Sequence, residues 1–287
     1  MYSPGASAVG RTGDARGRQS RTPHAPLHSH LCRRCARSSF FGELAQGYRW
    51  ENASPRIPPR NRANGNEVAA IPTNLPQEQN RFVGRERELG ELRQLLGATR
   101  ALTLCGTGGI GKTRLALQIL AAVADEFPDG VWFVELGDLQ QPDLVVSRVA
   151  AAVGVGEEPG RPLLDTLADA LRPRQLLLAL DNCEHLIDAC ARVGQRLLSS
   201  SPGLRLMATS REPLRLAAEA VWQVQPLSVA PDGTAVAPED AFRYEAIRLF
   251  AARAAASLPG FAIGPANSAP VAALCRALDG VPLAIEL

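Results

Sequence analysis

The sequence predicts an α/β protein with a doubly wound, mostly parallel sheet that is followed by a partial helical subdomain. Three observations support this class. Short apolar runs alternate with helical patterns between residues 82 and 224, the order expected of a parallel sheet with helices on both faces. The run 175–180 is almost continuously apolar, as in strands buried on both faces. A glycine-rich loop at 106–113 joins a predicted strand to a predicted helix.

Each predicted element follows from its own pattern. Residues 82–96 begin with charges and continue with leucines at helical spacing, which predicts a helix. An apolar strand over 100–105 then leads through the glycine loop to a helix that reaches about residue 124. The later elements continue the alternation, and in chain order they are a strand at 131–135, helices near 142–153 and 163–171, a strand at 175–180, a helix near 184–198, and strands at 204–208 and 221–224.

Composition divides the chain into four predicted parts. Residues 1–73 form a basic tail rich in Arg, Pro and Gly, which we predict to be disordered. Residues 74–229 hold the predicted sheet, and 230–240, with two prolines and a glycine, are a predicted linker. Residues 241–287 are helical in pattern and stop in mid-pattern, which predicts a truncated helical subdomain and a truncated gene product.

Composition also narrows the function classes. No apolar run approaches the length of a membrane span and the N-terminus lacks a signal-peptide pattern, so we expect a cytoplasmic protein without membrane contact. The six cysteines are expected to be free thiols. A His/Cys cluster at 28–35 matches half of a zinc site, but the second ligand pair is missing and we favour a chance cluster. The tail arginines could contact nucleic acid, but we favour a solvated tail as the interpretation.

The loop 106–113 has the full Walker A spacing of a phosphate-binding loop. The backbone N–H groups of such a loop close around phosphate oxygens, and the next helix points its positive end at the same anion. Lys112, the only lysine among 31 basic residues, is expected to reach the β- and γ-phosphates, and the Thr113 hydroxyl is expected to bind Mg²⁺. ATP or ADP with Mg²⁺ is therefore the predicted ligand, with a plain strand-to-helix turn as the alternative. The expected nucleotide contacts in this segment are Gly106, Thr107, Gly108, Gly109, Ile110, Gly111, Lys112, Thr113 and Arg114.

Two acidic residues follow the buried run 175–180. Asp181 is a predicted second Mg²⁺ ligand because ligands bind at the carboxyl ends of parallel strands, and its alternative role is a helix N-cap. Asn182 stands where many hydrolytic P-loop ATPases have a carboxylate, and an amide is a poor base, so slow hydrolysis or none is expected. Glu184 is the candidate catalytic residue, with a solvated first-turn acid as the alternative.

Arg211 follows the predicted strand at 204–208. An arginine at the end of such a strand is placed to contact the γ-phosphate. The alternative is a surface arginine that pairs with Glu212.

As an ordered set, these motifs resemble the signal-transduction ATPases with numerous domains (the STAND class). The similarity is to the NB-ARC-like module of bacterial AfsR- and LuxR-type transcription regulators, and it spans about residues 73–287. The segments that carry it are Asn74–Pro76, Phe82–Glu88, Gly106–Thr113, Leu176–His185, Ala208–Leu214 and Gly280–Ala284.

The resemblance implies a P-loop NTPase fold of the ASCE type and assigns several roles. It places Val83, Gly84 and Arg85 against the adenine side of the nucleotide, assigns Arg211 to the γ-phosphate, and has Pro282 close the site from the helical subdomain. It also implies a switch that ADP holds closed and ATP opens, with self-association in the ATP state. A turnover ATPase is the alternative function. The basic tail has no counterpart in this family.

Overall fold

The computed structural model of the chain describes residues 71–77, 80–234 and 236–287. The His/Cys cluster at 28–35 and nearly all of the predicted basic tail lie outside these ranges. The described strands form one sheet, and they are β1 Ala101–Cys105, β2 Val131–Glu135, β3 Leu176–Asp181, β4 Leu204–Ser210 and β5 Glu219–Gln223. All pairs are parallel, and the strand order is β2-β3-β4-β1-β5. Because β4 lies between β1 and β3, the order confirms the predicted doubly wound sheet of the ASCE type.

Helices follow the strands as the alternating pattern predicts. Those of the described residues are α1 Glu86–Ala98, α2 Lys112–Ala122, α3 Leu144–Ala152, α4 Leu163–Leu171, α5 Ile187–Ser200, α6 Pro238–Ala241, α7 Glu245–Ser257, α8 Ser268–Ala277 and α9 Pro282–Glu286. Within the described ranges, no helix is both long and apolar enough to cross a membrane.

The side chains of β3 alternate between two apolar layers because successive residues of a strand face opposite sides. Leu176, Leu178 and Leu180 pack in a cluster with α3, α4 and α5. Leu177 and Ala179 pack in a second cluster with α1 and α2. Both faces of the sheet are thus covered by helices, which explains why the run is apolar throughout.

The segment before α1 closes the edge of the sheet at β2. Thr73 forms a parallel bridge with Val131, whose N–H donates to the Pro72 carbonyl at 3.2 Å. The Asn74 carboxamide donates to the Phe133 carbonyl at 2.8 Å and accepts from the Phe133 N–H at 2.7 Å. The Asn74 side chain therefore takes the place of a neighbouring strand's backbone at this edge.

The C-terminal helices share a third apolar cluster, formed by residues between 227 and 285. The predicted linker 230–240 takes part in it, because Ala230 and Val236 are buried there and α6 begins at Pro238. The division of the chain at this segment stays a prediction.

One predicted helix begins later than its pattern indicated. The sequence predicted a helix from about residue 184, but α5 begins at Ile187. Asn182 adopts a left-handed backbone with φ of 62°, and Cys183–His185 form a single 3₁₀ turn before the helix. The chain therefore turns sharply after β3, and this turn places Glu184.

Candidate nucleotide-binding site

The loop 106–113 connects the C-terminal end of β1 to the first turn of α2. Because α2 begins at Lys112, the positive end of this helix faces the loop. Gly109 and Gly111 have φ of 77° and 90°, a left-handed region that glycine adopts without strain. The Ile110 side chain between them is buried against the sheet and anchors the loop. A glycine loop that ends in a helix N-terminus is an arrangement suited to phosphate.

The Lys112 ammonium lies over the start of this loop. Its Nζ donates to the Gly106 carbonyl at 2.9 Å and to the Thr107 carbonyl at 3.1 Å. Burial lowers the pKa of Lys112, the Glu184 carboxylate raises it, and the Arg211 guanidinium lowers it. Three side chains that are predicted for the site from distant parts of the chain, Glu184, Arg211 and Asp181, are therefore close enough to act on this ammonium.

Asp181 lies at the C-terminal end of β3 with its carboxylate turned toward α2. The Thr113 hydroxyl donates to the two carboxylate oxygens at 2.8 and 3.1 Å, and the Thr209 hydroxyl donates at 2.5 Å. Burial raises the pKa of Asp181, while these two hydrogen bonds lower it. The carboxylate binds threonine hydroxyls and caps no helix, because α5 begins only at Ile187.

The residues predicted to hold Mg²⁺ fit that ion. Thr113 supplies a hydroxyl oxygen and Asp181 a carboxylate, both hard ligands, and they already lie within hydrogen-bond distance of each other. A cation beside Asp181 would favour its ionised form, which burial disfavours. The described residues contain no cluster of three or more His, Cys, Asp or Glu that would bind a metal alone. Further ligands would therefore have to come from phosphate oxygens and water, which Mg²⁺ accepts.

Glu184, Asn182 and Arg211 form one group beside the loop. The Arg211 Nε lies 3.1 Å from the Glu184 Oε1. With its carboxamide turned to donate, Asn182 lies 3.0 and 3.1 Å from the two Glu184 oxygens. The Arg211 Nη2 would lie 3.6 Å from a Cβ placed on Gly108. Arg211 therefore pairs with Glu184, whereas the partner of Glu212 is Arg215 at 3.6 Å.

Arg85 is buried behind the loop, with 3% of the residue exposed. Its Nη2 donates to the Ile110 carbonyl at 2.6 Å and to the Gln225 carbonyl at 3.1 Å. Its backbone N–H donates to the Glu245 carboxylate at 2.6 Å. Burial lowers the pKa of Arg85, and Glu88 and Glu245 raise it. Arg85 thus joins the loop, the end of β5 and the start of α7.

Val83 and Gly84 lie against the C-terminal helices. Val83 packs on the third apolar cluster. Gly84 has φ of 80°, and a Cβ there would lie 2.9 Å from the Glu245 Oε1. Only glycine therefore lets the chain pass this close to the start of α7.

The first turn of α9 rests directly on the glycine loop. The Leu283 N–H donates to the Gly109 carbonyl at 3.2 Å. A Cβ on Gly109 would lie 2.9 Å from the Leu283 Cβ, and one on Gly111 would lie 3.8 Å from the Pro282 Cγ. The segment 282–283 therefore covers the loop at its glycines.

Arg114 joins α2 to two other segments. Its Nη1 lies 3.3 Å from the Glu286 Oε1, and its Nη2 donates to the Asn80 carbonyl at 3.0 Å. Its guanidinium also lies 5.8 Å from the centre of the Phe82 ring. Arg253 reaches the same Glu286 oxygen at 2.7 Å. The guanidinium of Arg114 is thus engaged with α9 and with the segment before α1.

Sequence reasoning missed Glu219, which holds the loop that follows Arg211. Its carboxylate accepts the N–H groups of Leu214 at 2.9 Å, Arg215 at 2.7 Å and Leu216 at 3.2 Å. It also accepts the Thr103 hydroxyl of β1. No local pattern marks a glutamate at the start of a strand for this role.

Sequence reasoning also missed Thr209 and Glu245. Thr209 orients Asp181, and the position of β4 beside β3 is the signal that would have found it. Glu245 contacts Arg85 across 160 residues, and the residue pattern around it gives no sign of that contact.

The fold and the site together define a P-loop NTPase domain. A parallel sheet in this strand order carries a Walker A loop after β1, an acid at the end of β3 and an arginine after β4. The assignment to the P-loop NTPases therefore rests on the positions of these residues in the fold as well as on their spacing in the sequence.

Comparison with known proteins agrees with this class. Residues 96–208 match the family model described as AAA domain. A "Putative HTH-type transcriptional regulator" of Mycobacterium tuberculosis is 46% identical over 195 residues, which cover 68% of this chain and 20% of that protein. The regulatory protein AfsR of Streptomyces griseus is 31% identical over 153 residues, 49% of this chain and 15% of that protein. Residues 96–208 are therefore similar to AAA domains, the chain is similar to HTH-type and AfsR-type regulators, and it spans only part of their length.

Among solved structures, one similar chain is a STAND protein with a tetratricopeptide repeat sensor from Pyrococcus horikoshii. It is 16% identical with a TM-score of 0.46, over 72% of this chain and 29% of that chain.

Proposed function

We propose that this chain is a Mg²⁺-dependent, ATP- and ADP-binding switch module of a STAND-type transcription regulator, with slow hydrolysis or none. The observation that carries the proposal is the hydrogen bond from the Leu283 N–H to the Gly109 carbonyl. Because α9 contacts the backbone of the phosphate loop, a nucleotide that changes the conformation of the loop also changes the surface on which α9 packs. A ligand that binds two arrangements with different affinities shifts the balance between them.

Domain boundaries and residue roles complete the proposal. Residues 74–229 are the nucleotide-binding domain and 241–287 the helical subdomain. Val83, Gly84 and Arg85 line the adenine side, Arg211 contacts the γ-phosphate and Pro282 closes the site. The NB-ARC-like and LuxR-type assignments, self-association in the ATP state and a cytoplasmic location also belong to the proposal, supported by relatives that are named as regulators.

Slow hydrolysis is supported by the residues that follow β3. Asn182 is neutral and cannot accept a proton from water at neutral pH. Glu184, the candidate catalytic acid, is engaged by Arg211 and by the Asn182 carboxamide. An acid held by two donors is a weak base.

Thermal unfolding with Mg-ADP and Mg-ATP tests nucleotide binding. A ligand at 100 times its dissociation constant stabilises the fold by about 2.7 kcal/mol. We expect this shift in the wild type, its loss in Lys112→Ala, and its retention in Arg93→Ala, which removes an exposed ion pair with Glu126. No shift in the wild type, or an equal shift in Lys112→Ala, would overturn the proposal.

A turnover ATPase is the second candidate, favoured by the position of Glu184 near the Lys112 ammonium. Steady-state phosphate release separates the two functions. Rates of about 1–10³ s⁻¹, typical of enzymes, would support turnover and contradict the switch.

A further inference from the structure

We propose that Glu184 is an intramolecular competitor for Arg211 that sets the preference of the site for ADP over ATP. The inference rests on the proposed function, because it concerns how the same site discriminates its two nucleotides. It assigns Glu184 a role in specificity that a catalytic acid or a solvated helix-start acid would not have.

The Arg211 guanidinium can pair with either of two anions, the Glu184 carboxylate or a γ-phosphate. Arg211 uses its Nε for Glu184 at 3.1 Å, while its Nη2 faces the loop at Gly108. A γ-phosphate in front of the loop would need the same positive charge. Contact with the phosphate therefore weakens the Glu184 pair, and the pair weakens the contact.

The Glu184 side chain is held in place by its neighbours. Its side chain is only 19% exposed, whereas that of Arg211 is 64% exposed. The Asn182 carboxamide lies within 3.1 Å of both Glu184 oxygens, and Asn182 is itself fixed by its backbone N–H, which donates to the Thr209 hydroxyl at 2.9 Å. Glu184 is therefore the more enclosed partner, and Arg211 is the exposed partner that has room to turn toward a phosphate.

The negative charge of Glu184 also acts on the residues expected to contact the phosphates. Its carboxylate lies close enough to the Lys112 ammonium and to the Asp181 carboxylate to interact electrostatically with both, and these are the residues expected to contact the phosphates and Mg²⁺. A γ-phosphate would add negative charge beside Glu184, whereas a β-phosphate lies within the loop. Repulsion from Glu184 therefore weakens ATP binding more than ADP binding.

The test measures the affinities of Mg-ADP and of a Mg-bound, non-hydrolysable ATP analogue by titration calorimetry. Glu184→Gln keeps the shape of the side chain and removes its charge. We expect the ratio of analogue affinity to ADP affinity to rise about three- to tenfold, since exposed ion pairs are worth little and this one is partly shielded. Because the analogue is not cleaved, loss of a catalytic base would leave the ratio unchanged.

Two further variants make the result specific. Glu212→Gln removes an acid next to Arg211 that pairs with Arg215, and it should change the ratio less than twofold. Arg211→Gln should lower the ratio, and Glu184→Gln should then have a smaller effect in that background, because the competition needs both partners.

The outcomes are distinct. An unchanged ratio in Glu184→Gln, a shift toward ADP, or an equal shift in Glu212→Gln would overturn the competition and leave nucleotide binding intact. A wild type that binds neither nucleotide would overturn the proposed function and this inference with it. Retained ADP affinity in each variant shows that the site is folded.

Discussion

Replacing Arg85 by alanine should destabilise the protein strongly, although among the described residues no charged side chain hydrogen-bonds to its guanidinium. Arg85 is 3% exposed, and its Nη2 serves two backbone carbonyls, of Ile110 in the phosphate loop and of Gln225 after β5. The change leaves both carbonyls without this donor. Arg85 has a left-handed backbone with φ of 64°, and alanine in this conformation has the same backbone strain as arginine. The variant therefore measures the loss of the side-chain contacts alone.

The size of the effect follows from the two contacts. A hydrogen bond from a charged donor contributes about 1.5–3 kcal/mol. The desolvation that lowers the pKa of Arg85 offsets part of the sum. We therefore expect a loss of about 2–4 kcal/mol in the free energy of unfolding.

Urea unfolding without nucleotide measures this loss, and Arg87→Ala is the matched control. The Arg87 side chain is 85% exposed and pairs with Glu91 one helical turn away, so its removal should cost about 0.3–0.5 kcal/mol. Affinity for Mg-ADP should also fall in Arg85→Ala, because the loop loses its support at Ile110. If the two arginine variants differ by less than about 0.5 kcal/mol, the usual range for surface substitutions, the stabilising role of the Arg85 side chain is refuted.

Three further changes have defined outcomes. Asp181→Asn should raise the stability of the nucleotide-free protein at pH 7 by about 0.5–2 kcal/mol, because burial disfavours the ionised carboxylate, while the Mg²⁺ dependence of nucleotide binding weakens. Glu219→Gln should cost about 1–3 kcal/mol in urea unfolding, because one amide oxygen cannot replace two carboxylate oxygens that serve three N–H groups. Gly280→Ala places a Cβ 2.2 Å from the Leu227 carbonyl and should cost about 1–3 kcal/mol more than Gly260→Ala, whose Cβ meets nothing within 4 Å.

Each of these changes has a result that would contradict it. For Asp181, the folded-state pKa is raised, so the unfavourable contribution is absent below the ordinary pKa of 3.8 and grows as the pH rises. A stability difference that does not shrink as the pH falls toward 4 would contradict the cause given. Both glycines have positive φ, so equal losses in Gly280→Ala and Gly260→Ala would show that backbone strain alone matters. For Glu219, an unchanged unfolding midpoint in Glu219→Gln would show that the carboxylate does not stabilise the loop.

The sheet could be predicted because its signals are local. β2 is found at the predicted residues 131–135, and the run 175–180 contains all but the last residue of β3, since burial on both faces requires apolar side chains in sequence. The start of α5 could not be predicted, because the left-handed turn at Asn182 leaves no mark on apolar spacing. The pattern of apolar residues therefore predicts that a helix lies in this segment but not where it begins.

The site was only partly predictable for a related reason. The glycine loop is contiguous in sequence and is recognised by spacing, whereas Arg85 reaches Ile110 and Glu245 through tertiary contacts. Arg211 could be identified as a strand-end arginine, but its partner Glu184 lies 27 residues away and the adjacent Glu212 was the local alternative. Contacts between residues that the strand order brings together cannot be predicted from residues that are neighbours in the sequence.

The edge contacts at β2 determine where a shortened version of the chain can begin. The Pro72 carbonyl and the Asn74 carboxamide form hydrogen bonds with backbone groups of Val131 and Phe133. Without these bonds, the same backbone groups could pair with another molecule. An unprotected strand edge is a template for intermolecular pairing and aggregation. A shortened form should therefore start no later than residue 71, and one that starts after Asn74 should precipitate because the edge of β2 is exposed, whether or not nucleotide is present.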